Sequence, residues 1–382
     1  MSDLDDRVRL SLEREAELWR PDLSRSRAVV RQRAARAVRA RRRRRGLAVM
    51  VATVLVVLAV FVWGDLESAR HHGIAPVTPP HRTKHVTESV PKPFRVVKVY
   101  DAHSLGMSHP LDLAVAPDGD LYVTDSRQTV TEVTPRGRVV RRWGRSGTGP
   151  GEFRMYSGAI AVADDGRVYV ADTGNFRVQV FSADGRFLRQ VGSFGRGAGQ
   201  FTWPSGVVAG TAGSMYVADD RAATVTKLTA GGREAWRIGD SATKDPDLIG
   251  HEHLGDVDSH GRLVMANDDA GRIVYLTPSG RKVDAFGTGA SGSHENGPAP
   301  PGGDFPDGAC GATTDTRGSV YVDSCEEASS AHHDLEVFNA RHRLVAAWTR
   351  GALIASPHFA PDGQAFSLNS EGALLVLSPR GT

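Results

Sequence analysis

Only two cysteines occur in 382 residues, which excludes a disulfide framework and a zinc ribbon. Lysine is nearly absent as well: of 47 basic residues, only those at 84, 92, 98, 227, 244 and 282 are lysine. We read the bias toward arginine as the mark of a GC-rich bacterial genome. No G-x-x-x-x-G-K-[ST] loop and no G-x-S-x-G elbow is present, so neither a P-loop nucleotidase nor an α/β-hydrolase is indicated. Long apolar runs are missing with one exception. At 24% charged and 40% hydrophobic residues the chain is nevertheless no disordered polymer.

The exception is Leu47 to Trp63, which carries no charge and no proline. With the flanking glycines it makes a helix of roughly 28 Å, close to the ~30 Å hydrocarbon core of a bilayer. It is apolar all round, unlike a core helix with one apolar stripe, and no small-residue cleavage pattern follows it. A single transmembrane helix, a signal anchor over 47–64, is therefore expected. Residues 1–46 hold fifteen arginines against seven acids, including Arg41 to Arg45 directly before the span. Basic flanks stay inside, so the N-terminus is expected in the cytoplasm and the C-terminal bulk outside the cell membrane. The formal charge of +3 is thus a sum of two unlike parts, a basic tail and an acidic remainder. The arginine run has no interleaved aromatics, and no nucleic-acid partner is expected; anionic lipid headgroups suit it better.

Residues 65–93, with five prolines and few apolar side chains, read as an extended linker. From residue 94 the chain repeats with a period of about 47 residues. Gly119-Asp-Leu-Tyr-Val-Thr-Asp125 recurs as Gly166-Arg-Val-Tyr-Val-Ala-Asp172 and Gly213-Ser-Met-Tyr-Val-Ala-Asp219. Looser copies begin at Gly261, Gly318 and Gly363. Each unit reads as four short strands with alternating apolar residues and D-G turns, which is a propeller blade. In the second unit the strands are expected at 159–163, 167–171, 177–181 and 186–191. The last unit has no fourth strand, whereas Phe94-Arg-Val-Val-Lys-Val-Tyr100 precedes the first unit unpaired. Pairing the two closes the ring. The expected fold is all-β: a six-bladed β-propeller of four-stranded blades over 94–382.

The segment from Ile160 to Phe181, IAVADDGRVYVADTGNFRVQVF, resembles an NHL repeat, and the propeller as a whole is similar to six-bladed NHL proteins. The resemblance implies the fold. It leaves function open, because propellers host binding modules, scaffolds and enzymes. Some relatives are zinc-dependent amidating lyases or lactonase-type hydrolases, and in the lyases histidines at the starts of the first strands hold zinc. The matching positions here, near Leu111, Gly158, Ser205, Leu254 and Cys310, carry no histidine, with His109, His253 and His358 close but out of register.

Cys310 and Cys325 lie symmetrically about the turn at Gly318 and are expected to pair as a disulfide outside the cytoplasm. Closing such a loop contributes about 3 kcal/mol. Asp125, Asp172 and Asp219 read as loop hydrogen-bonders, and the glycine-rich stretches after Gly144 and Gly195 as links between blades. Function is sought instead in the longest loops, those of blades three to five, which gather His251, His253, Glu326, Glu327, His332 and His333. These are candidates for binding an extracytoplasmic protein, peptide or cell-wall ligand. No cofactor is required by this reading, although imidazole beside carboxylate also suits a divalent metal. A catalytic role on the channel is the alternative.

Overall fold

A computed structural model describes residues 94–239, 245–248, 252–268, 270–287, 305, 308–324, 335–348, 356–369 and 372–379. The expected membrane span and linker, and the candidates His251, Cys325, Glu326, Glu327, His332 and His333, lie outside the described residues. Among the described residues no helix is long and apolar enough to cross a membrane.

The described chain forms six four-stranded antiparallel sheets. Blade one comprises Pro110–Val115, Leu121–Asp125, Thr129–Val133 and Val139–Trp143. Blade two comprises Ile160–Val162, Val168–Asp172, Arg177–Phe181 and Phe187–Val191, each within a residue or two of the strands expected from the repeat. Blade three runs from Pro204 to Gly239, blade four from Glu252 to Phe286 and blade five from Ala309 to Trp348. Blade six is assembled from both ends: His358–Phe359, Ala365–Leu368, Leu374–Pro379 and, outermost, Phe94–Tyr100. The closing pair runs antiparallel from Phe94 opposite Pro379 to Tyr100 opposite Leu374. The strand that precedes the first unit thus completes the last.

The alternation of side chains does something other than divide core from solvent. The second strands of blades one to four are buried on both faces. In blade one, Leu121 and Val123 pack with Phe366 and Leu374 of blade six, while Tyr122 packs with Phe153 and Val168 of blade two. Successive residues point to opposite faces of a strand, so each blade supplies apolar groups to both neighbours. Six apolar clusters result, one at every junction between adjacent blades.

The D-G turns work as read. Gly119, Gly166 and Gly185 all have positive φ, which costs a residue without Cβ little. The innermost strands of the six blades surround a central channel of about 1050 Å³.

Candidate functional site

The loops at one mouth of the channel are held by buried carboxylates. Asp172, at the end of the second strand of blade two, is fully buried. It accepts from the Arg154 amide at 2.7 Å, Arg177 Nε at 2.8 Å, and Asn175 Nδ2 and Gln179 Nε2 at 2.9 Å each. Arg177 also donates to the carbonyls of Gly149 and Glu152, and Gln179 bonds Gly151 N and Glu152 O. The pattern D-x-x-N-x-R-x-Q is therefore a polar clamp on the chain entering the blade. Blades one and three keep the aspartate and move the arginine. Asp125 holds Ser108 and Thr129, and Asp219 holds Thr202 and Trp203. The guanidinium comes from the fourth strand, as Arg142 on Thr131 and Leu105 O, and as Arg237 on Thr226 and Gln200 O. These three aspartates are structural, as the sequence indicated.

One family model, NHL repeat, matches residues 158–181, the span that contains this clamp. The chain carries an NHL repeat. Human NHL repeat-containing protein 3 is 32% identical over 84 residues, 21% of this chain and 24% of that protein. The chain thus spans about a quarter or less of the length of the curated relatives it matches. Two solved structures are similar across the propeller. A streptogramin B lyase is 12% identical with a TM-score of 0.49, covering 75% of this chain and 98% of that one. A gluconolactonase from Xanthomonas campestris is 15% identical with a TM-score of 0.49, covering 80% and 99%.

Within the propeller the channel wall carries ionisable groups that the repeat pattern passes over. Asp112 of blade one pairs in register with Thr124, and His253 of blade four with Ala266. Counted from the ends of their strands these positions are equivalent, so the two residues belong to one level of the ring, in blades three apart. Asp256 and His358 share the next level, opposite Val264 and Phe366. All four line the channel. His253 and His358, out of register at the level of the sequence, are therefore channel residues; in blade four a bulge between Leu254 and Asp256 shifts the count that set His253 aside.

Burial in the channel wall dominates the chemistry of three of them. It pushes the Asp112 carboxyl up to about 7, against the pull of the Ile160 and Leu113 amides that donate to it at 3.0 and 2.8 Å. Burial also lifts Asp256 to about 6, opposed by the Val257 amide and assisted by the nearby charge of Asp258. His358 is pushed down to about 4 because its cation would lose solvation. At neutral pH the wall thus holds a neutral imidazole at His358, a carboxyl close to half titration at Asp112 and a mostly ionised one at Asp256. Cys310 is exposed to the channel. Among the described residues no three of His, Cys, Asp or Glu come together to hold a metal ion.

This arrangement fixes a pH dependence. An acid whose pKa is raised in the folded state stabilises that state below its ordinary range, near 3.8, and the contribution is lost as pH rises through about 7. Denaturant unfolding from pH 4 to pH 8 should show the wild type losing stability relative to Asp112→Asn. Parallel curves for the two proteins would show that Asp112 titrates normally.

What sequence reading missed are Asp112, Asp256 and an aromatic group on blades two and three. The signal for Asp112 was an aspartate where sister strands carry Gly206 and Gly311, and for Asp256 an aspartate where they carry Ala114, Val208 and Thr313.

Proposed function

We propose that the chain is a single-pass, membrane-anchored NHL-type propeller that works outside the cytoplasm as a ligand- or protein-binding module. The observation that carries this reading is the rim of the channel: entering loops clamped by Asp125, Asp172 and Asp219 around a solvent-open channel. Loops held on a rigid scaffold are where binding groups are placed, and pre-ordered loops spare the entropy of ordering on association. His253 lies on this rim, and the candidate set read from the sequence also includes His251, Glu326, Glu327, His332 and His333. Residues 47–64 serve as the anchor, with residues 1–46 cytoplasmic, and Cys310 pairs with Cys325. Support for the disulfide is that Cys310 has no free thiol.

The test uses the full-length chain in its host membrane. Protease added to the outside should degrade residues 94–382 and spare 1–46. Proximity labelling should recover a partner set that is lost when residues 326–333 are replaced by glycine and serine. A protected propeller overturns the topology, and an unchanged partner set overturns the surface.

A metal-assisted lyase or lactonase-type hydrolase on the channel is the second reading. The specific observation in its favour is the pair of carboxyls, Asp112 and Asp256, held at about 7 and about 6, a range that suits general acid–base work. The described residues do not fit a three-ligand metal site, so no step through a metal follows from them. Tight, stoichiometric metal in the purified chain would favour this reading over the binding module.

A further inference from the structure

The two most exposed large apolar side chains among the described residues are Phe194 and Tyr156, at 67% and 62%. Both lie in connections between blades, Tyr156 ahead of blade two and Phe194 between blades two and three. Tyr156 stacks on Trp203 with ring centroids 5.0 Å apart at 26°. The Arg221 guanidinium sits 3.8 Å from the Trp203 ring. Phe194 meets Phe176 edge-on at 4.8 Å. The two groups are joined, because Arg196 donates to the Arg221 carbonyl at 3.3 Å.

The patch is built on rigid ground. Tyr156 lies over Gly174, where a Cβ would come within 2.7 Å of the tyrosine ring and 2.9 Å of Arg154. Trp203 is fixed through its amide to Asp219 at 2.9 Å. The exposed rings therefore need little ordering on binding.

The charge of the patch is one-sided. Arg154, Arg196 and Arg221 are exposed, and none forms an ion pair among the described residues. Nearby Arg145 pairs with Glu152, Arg177 with Asp172, and Arg237 with Glu234. Two acids lie beside it: Asp219 is buried and accepts from the Trp203 and Ala222 amides, and Asp220 accepts a hydrogen bond from Ser205 at 2.5 Å. An arginine stacked on an indole keeps its in-plane donors for a carboxylate. Tryptophan, tyrosine and arginine in contact are the composition of an interface hot spot.

We propose that this surface docks an acidic peptide segment of a protein partner. Its carboxylates meet Arg221, Arg196 and Arg154, and an aromatic or aliphatic side chain lies on Tyr156 and Phe194. The site shares no residue with the candidate set His251, His253, Glu326, Glu327, His332 and His333, so failure of one reading leaves the other standing.

The probe is a fluorescent peptide alternating glutamate and tyrosine, with a benzophenone at one end, added to the full-length chain. The controls are its lysine–tyrosine counterpart and a peptide alternating glutamate and serine. The acidic aromatic peptide should bind best, with cross-links mapping to 154–156, 194–203 and 221. Arg221→Ala and Tyr156→Ser, each retaining the wild-type thermal transition, should weaken binding at least about tenfold. Cross-links confined to the arginine-rich residues 1–46 would overturn the proposal. So would equal binding of the lysine peptide, or affinity unchanged in both variants.

Discussion

Removing residues 94–100 is expected to abolish cooperative thermal unfolding of the propeller and to leave a chain that aggregates. The strand is the outer member of blade six, and its partner Leu374–Pro379 presents Leu374, Leu375, Val376 and Leu377, all buried, beneath it. Without it a long apolar edge with open backbone groups would face solvent, a template for pairing between chains. The loss would also reach blade five, because Phe94 is 1% exposed and stacks on Tyr321 at 5.4 Å. Phe94→Ala isolates that contribution and should cost about 3–5 kcal/mol through lost burial and the cavity left behind. Calorimetry of the deletion showing an unshifted transition would mean that the ring does not close through this strand.

Asp172→Ala is expected to destabilise the protein by about 3–5 kcal/mol, measured by denaturant unfolding. Arg177 is almost as buried as its partner, with side-chain exposures of 7% and 0%. Removing the carboxylate strands a buried cation, and it takes one partner from Asn175 and Gln179 and the acceptor of the Arg154 amide as well. The contrast is Asp165→Ala. Its pair with Arg167 is largely open, at 50% and 30% exposure, and should contribute less than about 1 kcal/mol. If the two substitutions cost the same, the clamp is no more than a surface feature, and the pattern D-x-x-N-x-R-x-Q needs another explanation.

The fold was legible because its signals are local and repeated. A glycine with positive φ, a tyrosine three residues on and an aspartate after three more recur in step with the blades, and turn chemistry acts within a few residues. Even ring closure could be read, since one strand is missing at the end of the repeats and one is spare before them. The alternation marked the strands without saying what each face meets. It distributes Leu121 and Tyr122 between two blade junctions, and nothing local distinguishes that from a sheet with one wet face.

The candidate site was legible only in part. Asp125, Asp172 and Asp219 were placed correctly as loop hydrogen-bonders, because a repeated aspartate after a strand has a local role. His253 was selected for its place in a long loop, and it stands on the channel wall, opposite Asp112 in the ring. His358 and Asp256 line the channel at one level of the ring although about a hundred residues separate them. The stack of Arg221, Trp203 and Tyr156 draws on three connections in two blades. No spacing in the chain encodes these encounters, since they depend on the rotation from one blade to the next and on bulges in the inner strands.

The sequence by itself therefore determined the blade, the number of blades and the way the ring is closed, because turn glycines, strand alternation and clamp residues act over short distances. The tertiary structure decided which side chains share the channel, which carboxyls lose enough water to shift their titration, and which aromatics stay uncovered. Those properties belong to distances between blades, and only the closed ring sets them.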